Sequence, residues 1–340
     1  MITLDGSQGE GGGQILRTAL ALSAVTGTPF EIAGIRARRA KPGLMRQHLV
    51  SVRAAAAVCG AEVVGADLGS TNLRFVPGPV RGGPHRFDIG SAGSTQLVAQ
   101  TILPPLLRAG QASAVTLIGG THNPFAPSFP FMEGAFLPLL DRMGFLCWVR
   151  LERAGFYPAG GGQCLMDVAA QQGRAPLVLE SVPTSPRVGA RVCVVGLEVE
   201  IAEREMAVLR AELALEPALT VIDRCPGAIG IGNTVHVTVE LEGYSEVFTS
   251  HGERGVPAEA VAAKAAAEAK AFLASGTAVG EHLADKLLLP MALSAGGSFT
   301  TPVLSAHTQT QIRVMETFLG KCVRTETWGP GQHRVHVEAV

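Results

Sequence analysis

The chain is poor in charge. Asp, Glu, Lys and Arg make up only 17% of its 340 residues, whereas 47% are apolar. That balance excludes a disordered chain, which buries too little apolar surface to offset the entropy lost on ordering. The formal net charge is −1, so there is no general basic coat for nucleic acid, and any such contact must come from a local cluster of cations. No uninterrupted apolar run approaches the roughly 20 residues that a membrane-spanning helix needs. The six cysteines (Cys59, Cys147, Cys164, Cys193, Cys225 and Cys322) contain no Cys-x-x-Cys pair, and no charged-then-apolar leader is present. A reduced, cytoplasmic protein without a membrane segment is the expectation. The histidines offer no convincing metal site, since His333 and His336 lie three apart in a strand-like segment and would point to opposite faces. The familiar phosphate motifs are missing too: there is no Walker A loop, and Gly9-x-Gly11 is followed by Gln14 where a dinucleotide fingerprint needs a third glycine.

What is present is a glycine-rich stretch near the start, Asp5-Gly6-Ser7-Gln8-Gly9-Glu10-Gly11-Gly12-Gly13-Gln14-Ile15-Leu16-Arg17, following a strand-like Met1-Ile2-Thr3-Leu4 and running into an apolar, alanine-rich segment. It reads as strand, glycine turn, helix. Such a turn presents backbone N–H groups at the positive end of a helix dipole and can seat an anion, phosphate above all, or it can be plain structural punctuation.

The same order returns along the chain. In a first unit, a helix is predicted over 14–25, a strand over 28–35, a helix over 44–59 and strands over 61–65 and 72–77. In a second, a strand over 86–89 precedes the glycine-rich turn Gly90-Ser91-Ala92-Gly93-Ser94-Thr95-Gln96. A helix over 97–107, a strand over 114–118, the loop 119–128, a helix over about 131–143 and strands over 145–152 and 163–168 follow. A third copy is split: a strand over 177–180 is separated from a helix starting at Gly280, a strand over 298–300, a helix over 310–319 and strands over 322–327 and 334–338. Landmarks at Gly9, Gly90 and Gly280, and again at Arg36, Gly119 and Thr301, point to one supersecondary unit of roughly 80 to 90 residues repeated three times. The intervening residues contain a strand-like stretch over 192–201, helix-like stretches over 203–215 and 257–273, and a hairpin over 234–250, as expected of an inserted α/β domain. The expected organisation is therefore an α/β (α+β) chain of three βαβαββ units. Residues 1–180 and 277–340 would form the catalytic domain and 181–276 a small inserted α/β domain.

Ligands gather at the carboxyl ends of strands in such units. Glu10, Gln14, Arg17, the cluster Arg36, Arg38, Arg39 and Lys41, and His307 all fall at such positions. The basic loop is either an anion site, with arginine supplying bidentate forks, or a solvated charge run. His307 could attack a phosphorus atom as a neutral imidazole, or could be a polar neighbour of a helix cap, and His122 has the same standing. Asp285 could bind a metal, orient a base, or sit in a first helical turn where acids are favoured.

Taken together, several motifs resemble the RNA 3′-terminal phosphate cyclase family. They are the opening glycine stretch, Arg36-Ala37-Arg38-Arg39-Ala40-Lys41-Pro42-Gly43-Leu44-Met45-Arg46-Gln47-His48-Leu49, Gly90-Ser91-Ala92-Gly93-Ser94, Gly155-Phe156-Tyr157-Pro158-Ala159-Gly160-Gly161-Gly162, His282-Leu283-Ala284-Asp285, and His307. They run in order through nearly the whole chain. The resemblance implies a three-unit fold like that of enolpyruvyl transferases with a small α/β insert. It also implies ATP-dependent conversion of an RNA 3′-phosphate to a 2′,3′-cyclic phosphate through a covalent histidine–AMP at His307. ATP contacts would fall to Gln100 and to His282, Leu283, Ala284, Asp285 and Lys286, with Asp285 near a divalent metal, Mg2+ or Mn2+. Glu10, Gln14, Arg17, Arg36, Arg39 and Gln47 would line the phosphate and RNA-end site. Two positions depart from the family pattern: Lys286 stands where Gln is common, and Ala154 where a basic residue usually precedes Gly155. A non-catalytic relative working in RNA or ribosome assembly, or an enolpyruvyl-type transferase on a small phosphorylated substrate, are the rival readings.

Overall fold

The computed structural model describes residues 1–9, 12–171, 173–180 and 185–340. The first unit contains β1 (Ile2–Asp5), α1 (Gln14–Thr26), β2 (Phe30–Ala33), α2 (Arg46–Cys59), β3 (Glu62–Val64) and β4 (Leu73–Val76). The second contains β5 (Gly83–Asp88), α3 (Thr95–Arg108), β6 (Ser113–Gly119), then α4 (Phe129–Phe131), a π turn at Met132–Phe136 and α5 (Leu137–Arg142), followed by β7 (Cys147–Arg153) and β8 (Gly162–Val168). After β9 (Leu177–Leu179) the chain forms β10 (Arg187–Val195), α6 (Val199–Leu213), β11 (Thr220–Asp223), β12 (Gly232–Leu241), β13 (Tyr244–His251) and α7 (Ala258–Ser275). It then returns through α8 (Glu281–Leu293), β14 (Gly297–Thr301), α9 (Ala306–Leu319), β15 (Val323–Gly329) and β16 (Gln332–Val337).

Among the described residues the strands form four four-stranded sheets, and three of them share one pairing pattern. In each, the first two strands run parallel (β1 with β2, β5 with β6, β9 with β14). The second strand then pairs antiparallel with the last (β4, β8 or β16), and the last with the third (β3, β7 or β15). A parallel pair needs a crossover, and a helix supplies it in the first two sheets. In the third, the crossover also carries β10 to α7, which build the fourth sheet in the order β11-β10-β12-β13.

Helices meet where the sheets do. α1 packs on α2, α3 and α9, and α8 packs on α3 and α9. This explains why α1 is buried on nearly every side from Gln14 to Ala24 rather than along one stripe. A single apolar cluster runs through the three related sheets and their helices, while Val192, Val235, Val237, Leu209 and Ala265 belong to a second cluster under the fourth sheet.

Three local expectations differ from the structure. The stretch over 192–201 is a strand only to Val195, and its end belongs to α6, because the loop at Gly196–Leu197–Glu198 turns the chain before Val199. The strand β11 was not anticipated; it is short and has two exposed residues. Cys193 and Cys225 are joined in a disulfide, so the expectation of thiols throughout does not hold for this pair. The register explains why they meet: Cys193 on β10 lies beside Asp223 on β11, and Cys225 follows two residues later. The other four cysteines are buried thiols. No helix among the described residues is long and apolar enough to cross a membrane.

The fourth sheet is tied to the start of α8. The Tyr244 hydroxyl donates to the Ala278 carbonyl at 2.5 Å, and the Gly280 N–H donates to Glu246 Oε1 at 2.6 Å. Burial pushes the Glu246 carboxyl up to about 8, partly offset by that N–H. The folded protein therefore holds a proton that an unfolded glutamate releases near 4.5, and stability falls with pH between those values. We expect denaturant midpoints to decline as the pH rises from about 4.5 to about 8, and the decline to flatten in Glu246→Gln; equal slopes in the two proteins over that range would contradict this assignment.

Candidate active site

The cleft opens where α1, α3, α8 and α9 converge. Its lining includes Gln14, Arg17, Thr18, Gln100, Asp285, Lys286 and Gln311. One side chain ties its parts together. Gln14, the first residue of α1 and 4% exposed, donates from Nε2 to Asp285 Oδ2 and to the His307 carbonyl, both at 3.1 Å. Its Oε1 lies 2.5 Å from His307 Nδ1.

These contacts fix the proton on the imidazole. The Gln14 amide points its NH2 at two oxygens that can only accept, so its own oxygen must face the ring. Nδ1 therefore donates, and in the neutral ring the lone pair sits on Nε2. Gln311 adds support, because its Oε1 accepts from Thr18 Oγ1 at 2.6 Å and lies 3.5 Å from Gln14 Nε2. His307 and Gln311 are four apart on α9, hence on one face. α9 begins at Ala306, so His307 is inside its first turn rather than in the loop before it, and Ser305 is the cap, accepting from the Thr308 N–H.

Asp285 is 4% exposed, and its Oδ2 receives both Gln14 and the Lys286 ammonium, the latter at 2.6 Å. A buried carboxyl left without partners is costly, and these two donors satisfy that oxygen. It lies in the second turn of α8, past the first turn where a helix dipole alone would favour it.

The glycine stretch packs against α9. Gly9 has φ +58, and a Cβ there would come within 2.4 Å of Thr310 Oγ1, so both the turn and the close approach demand glycine. Gly13 lies against the His48 ring and the Arg17 guanidinium. Burial, with repulsion from Arg17 and Arg36, pushes His48 down to about 3, so its ring is neutral beside these cations. The basic loop after β2 is internally braced, with Arg36 Nη1 donating to the carbonyls of Lys41 at 2.6 Å and Gly43 at 3.0 Å.

The structure therefore gathers five of the sequence-derived candidates, Gln14, Arg17, Gln100, Asp285 and Lys286, around one cleft, and His307 joins it through Gln14. Arg36 is a loop brace as well as a cation, and Arg39 is exposed. Gln47 sits at the start of α2 and accepts the Ser94 N–H at 2.8 Å, away from the cleft lining. His282 is exposed, whereas Leu283 and Ala284 are fully buried, backbone included. Glu10 lies outside the described residues. Thr18 and Gln311 were missed; the spacing of Gln311 from His307 was the available signal. His122 is in another setting, buried and stacked on Phe156 with centroids 5.1 Å apart, and burial pushes it down to about 4.

The structure thus places a histidine, a buried amide and a carboxylate–lysine pair around one cleft. Comparison with known proteins gives the family. The family model for RNA 3′-terminal phosphate cyclase matches residues 8–325. The chain is 49% identical over 331 residues to the RNA 3′-terminal phosphate cyclase of Salmonella typhimurium, covering 96% of this chain and 97% of the relative. It is 49% identical over 320 residues to that of Salmonella agona, covering 94% and 92%, and 48% identical over 342 residues to that of Salmonella heidelberg, covering 96% and 97%. The chain belongs to the RNA 3′-terminal phosphate cyclase family, a family of enzymes.

The tautomer can be measured directly. With 15N-labelled histidine, NMR of the neutral protein is expected to show His307 protonated on Nδ1, and Gln14→Ala to shift it toward the Nε2–H form usual for free imidazole. A wild-type ring protonated on Nε2 would contradict the arrangement.

Proposed function

We propose that this protein converts an RNA 3′-phosphate to a 2′,3′-cyclic phosphate at the expense of ATP, through AMP carried on His307. The observation that carries the reading is the Gln14–His307 hydrogen bond, which leaves the lone pair of the neutral ring on Nε2 and ties the histidine to a cleft that Gln14 lines together with Arg17, Lys286 and Asp285.

In the first step His307 Nε2 attacks the α-phosphorus, an N–P bond forms, and the α–β bridging P–O bond breaks to release pyrophosphate. The Nδ1–H that remains is held by Gln14 Oε1, which stabilises the imidazolium-like product. An oxygen of the RNA 3′-phosphate next attacks the same phosphorus, the N–P bond breaks, and the ring regains its lone pair. The terminal phosphate is now a mixed anhydride with AMP as leaving group, and the adjacent 2′-oxygen displaces AMP as its hydroxyl proton is lost. Because that hydroxyl is already tethered, proximity supplies much of the last step.

Gln100, His282 and Lys286 are the ATP contacts in this reading. Arg17, Arg36, Arg39, Gln47 and Glu10 serve the RNA end. Among the described residues no group of three His, Cys, Asp or Glu gathers into a metal cage. One buried carboxylate at Asp285 fits Mg2+ or Mn2+, which commonly take one or two protein carboxylates together with substrate phosphates. When bound, the ion would neutralise triphosphate charge. Residues 1–180 with 277–340 are the catalytic domain in this reading, 181–276 an insert, and the compartment the cytoplasm.

Incubation with α-labelled ATP and a divalent metal, without RNA, should give an acid-labile AMP–protein adduct. His307→Ala should give none and should lower cyclisation by at least about 10³-fold, as loss of a covalent nucleophile does. An adduct that survives His307→Ala would refute the assignment of the nucleophile.

A further inference from the structure

Exposed aromatic rings are scarce here. Among the described residues Phe125 is the one exposed phenylalanine of thirteen, and it is fully exposed; of two tyrosines, Tyr157 is 69% exposed while Tyr244 is buried. Trp148 and Trp328 are also exposed, but on the strands β7 and β15, whereas Phe125 and Tyr157 lie on neighbouring loops. His122 pairs with Phe156 in an isolated parallel bridge, so Phe125 comes three residues beyond one partner and Tyr157 one residue beyond the other.

The loops are anchored, so the exposure of these rings does not come from loose ends. Asn123 Nδ2 donates to the Ala92 carbonyl at 2.5 Å, and the Phe129 N–H donates to the Thr121 carbonyl at 3.2 Å. On the other loop, the site of a Cβ on Gly160 lies within 2.8 Å of Ser91 and Ala92 backbone atoms, and Gly155 N–H donates to Thr121 Oγ1 at 3.0 Å. Between these fixed ends Phe125 adopts φ +60, a conformation that costs a non-glycine residue of order 1 kcal/mol. Folding gains nothing in return, since the ring meets only solvent.

The same surface carries guanidinium groups and continues to the cleft. Arg46 donates to the Gly90 carbonyl at 3.0 Å, and Arg153 donates to the Gly161 carbonyl through Nε at 3.1 Å and Nη2 at 2.8 Å. The one acid placed on the turn, Asp88, is occupied by the Gly90 N–H. The turn is joined to α2 by the bond from Ser94 N–H to Gln47, and the next residue, His48, lies against Gly13 and Arg17 at the cleft.

Exposed aromatics interleaved with arginines are what single-stranded RNA uses: bases stack on the rings, and guanidinium groups meet the phosphates. A protein partner would not explain the run of this surface into the phosphate-binding end of the cleft. We propose that the nucleotides upstream of the terminal phosphate cross the 90–94 turn and stack their bases on Phe125 and Tyr157, with Arg46 and Arg153 beside the backbone. Stacking of this kind reads no base edge, so the track selects unpaired RNA rather than a sequence. The inference rests on the proposed cyclase reading, and its test separates the two.

The test compares Phe125→Ala, Tyr157→Ala and the double variant with wild type in three measurements. Adduct formation with ATP and metal alone reports on the His307 chemistry and on folding, and should be unchanged. Affinity for a single-stranded oligoribonucleotide ending in a 3′-phosphate, read by fluorescence anisotropy, should fall about 5- to 150-fold per ring removed. Affinity for a nucleoside 3′-phosphate should not change. Phe125→Trp should retain oligonucleotide binding, and an oligonucleotide with abasic sites upstream of its last nucleotide should bind the wild-type protein as weakly as the intact one binds the double variant. That last arm needs no variant, so misfolding cannot obscure it. Unchanged oligonucleotide affinity in the double variant, or abasic sites without effect on wild type, overturns the stacking track and leaves the surface to a protein partner. Absence of any AMP adduct in wild type would instead fail the cyclase reading, while the binding arms would still be read.

Discussion

The site depends on one buried amide. Gln14 begins α1, yet its polar atoms are met by Asp285 on α8 and by His307 and Gln311 on α9. A buried amide left without partners would cost about 1–3 kcal/mol, so the packing that holds α1, α8 and α9 together and the hydrogen bonds that orient the imidazole support each other. This has a chemical sense. Gln14 cannot titrate, so it fixes the ring's tautomer without contributing a charge that would oppose an incoming phosphate.

The three related sheets provide a common frame whose loops have been put to different uses. After β2 the chain makes the basic loop, braced by Arg36 against the carbonyls of Lys41 and Gly43. The corresponding segment after β6 carries Phe125 outward on a pinned loop, and the one after β14 leads into the turn of α9 that bears His307. Similar backbones thus carry a basic loop, an exposed ring and a histidine. Chemistry varies here through loop residues while strand pairing does not.

Much of this was legible in the sequence because it is encoded locally. Glycine turns mark helix starts, period-two alternation marks strands such as β5 and β6, and the recurrence of the same order marks the repeated unit. What escaped was set by distant pairing. β11 is too short and exposed to show a pattern, and only its place beside β10 makes it a strand and brings Cys225 to Cys193. The role of Gln14 as the residue that orients His307 depends on contacts that cross nearly the whole chain, and no local spacing reveals them. Arg36 shows the converse: a cation in a basic run reads as a ligand, but one of its nitrogens is spent on the carbonyls that shape its own loop.

The split crossover sets an order of assembly. In the first two sheets the parallel partners emerge close together, Ile2 meeting Phe30 and Gly83 meeting Ser113. Leu177, by contrast, must wait for Gly297, with the whole fourth sheet made in between. Closing so long a segment carries a larger entropic charge and favours slow, late pairing. During synthesis the half of the enzyme carrying Gln14 and Gln100 would stand ready while the strand and helix that bring His307 are still inside the ribosome. The contact between Gln14 and His307 would then form late, after the fourth sheet has been made.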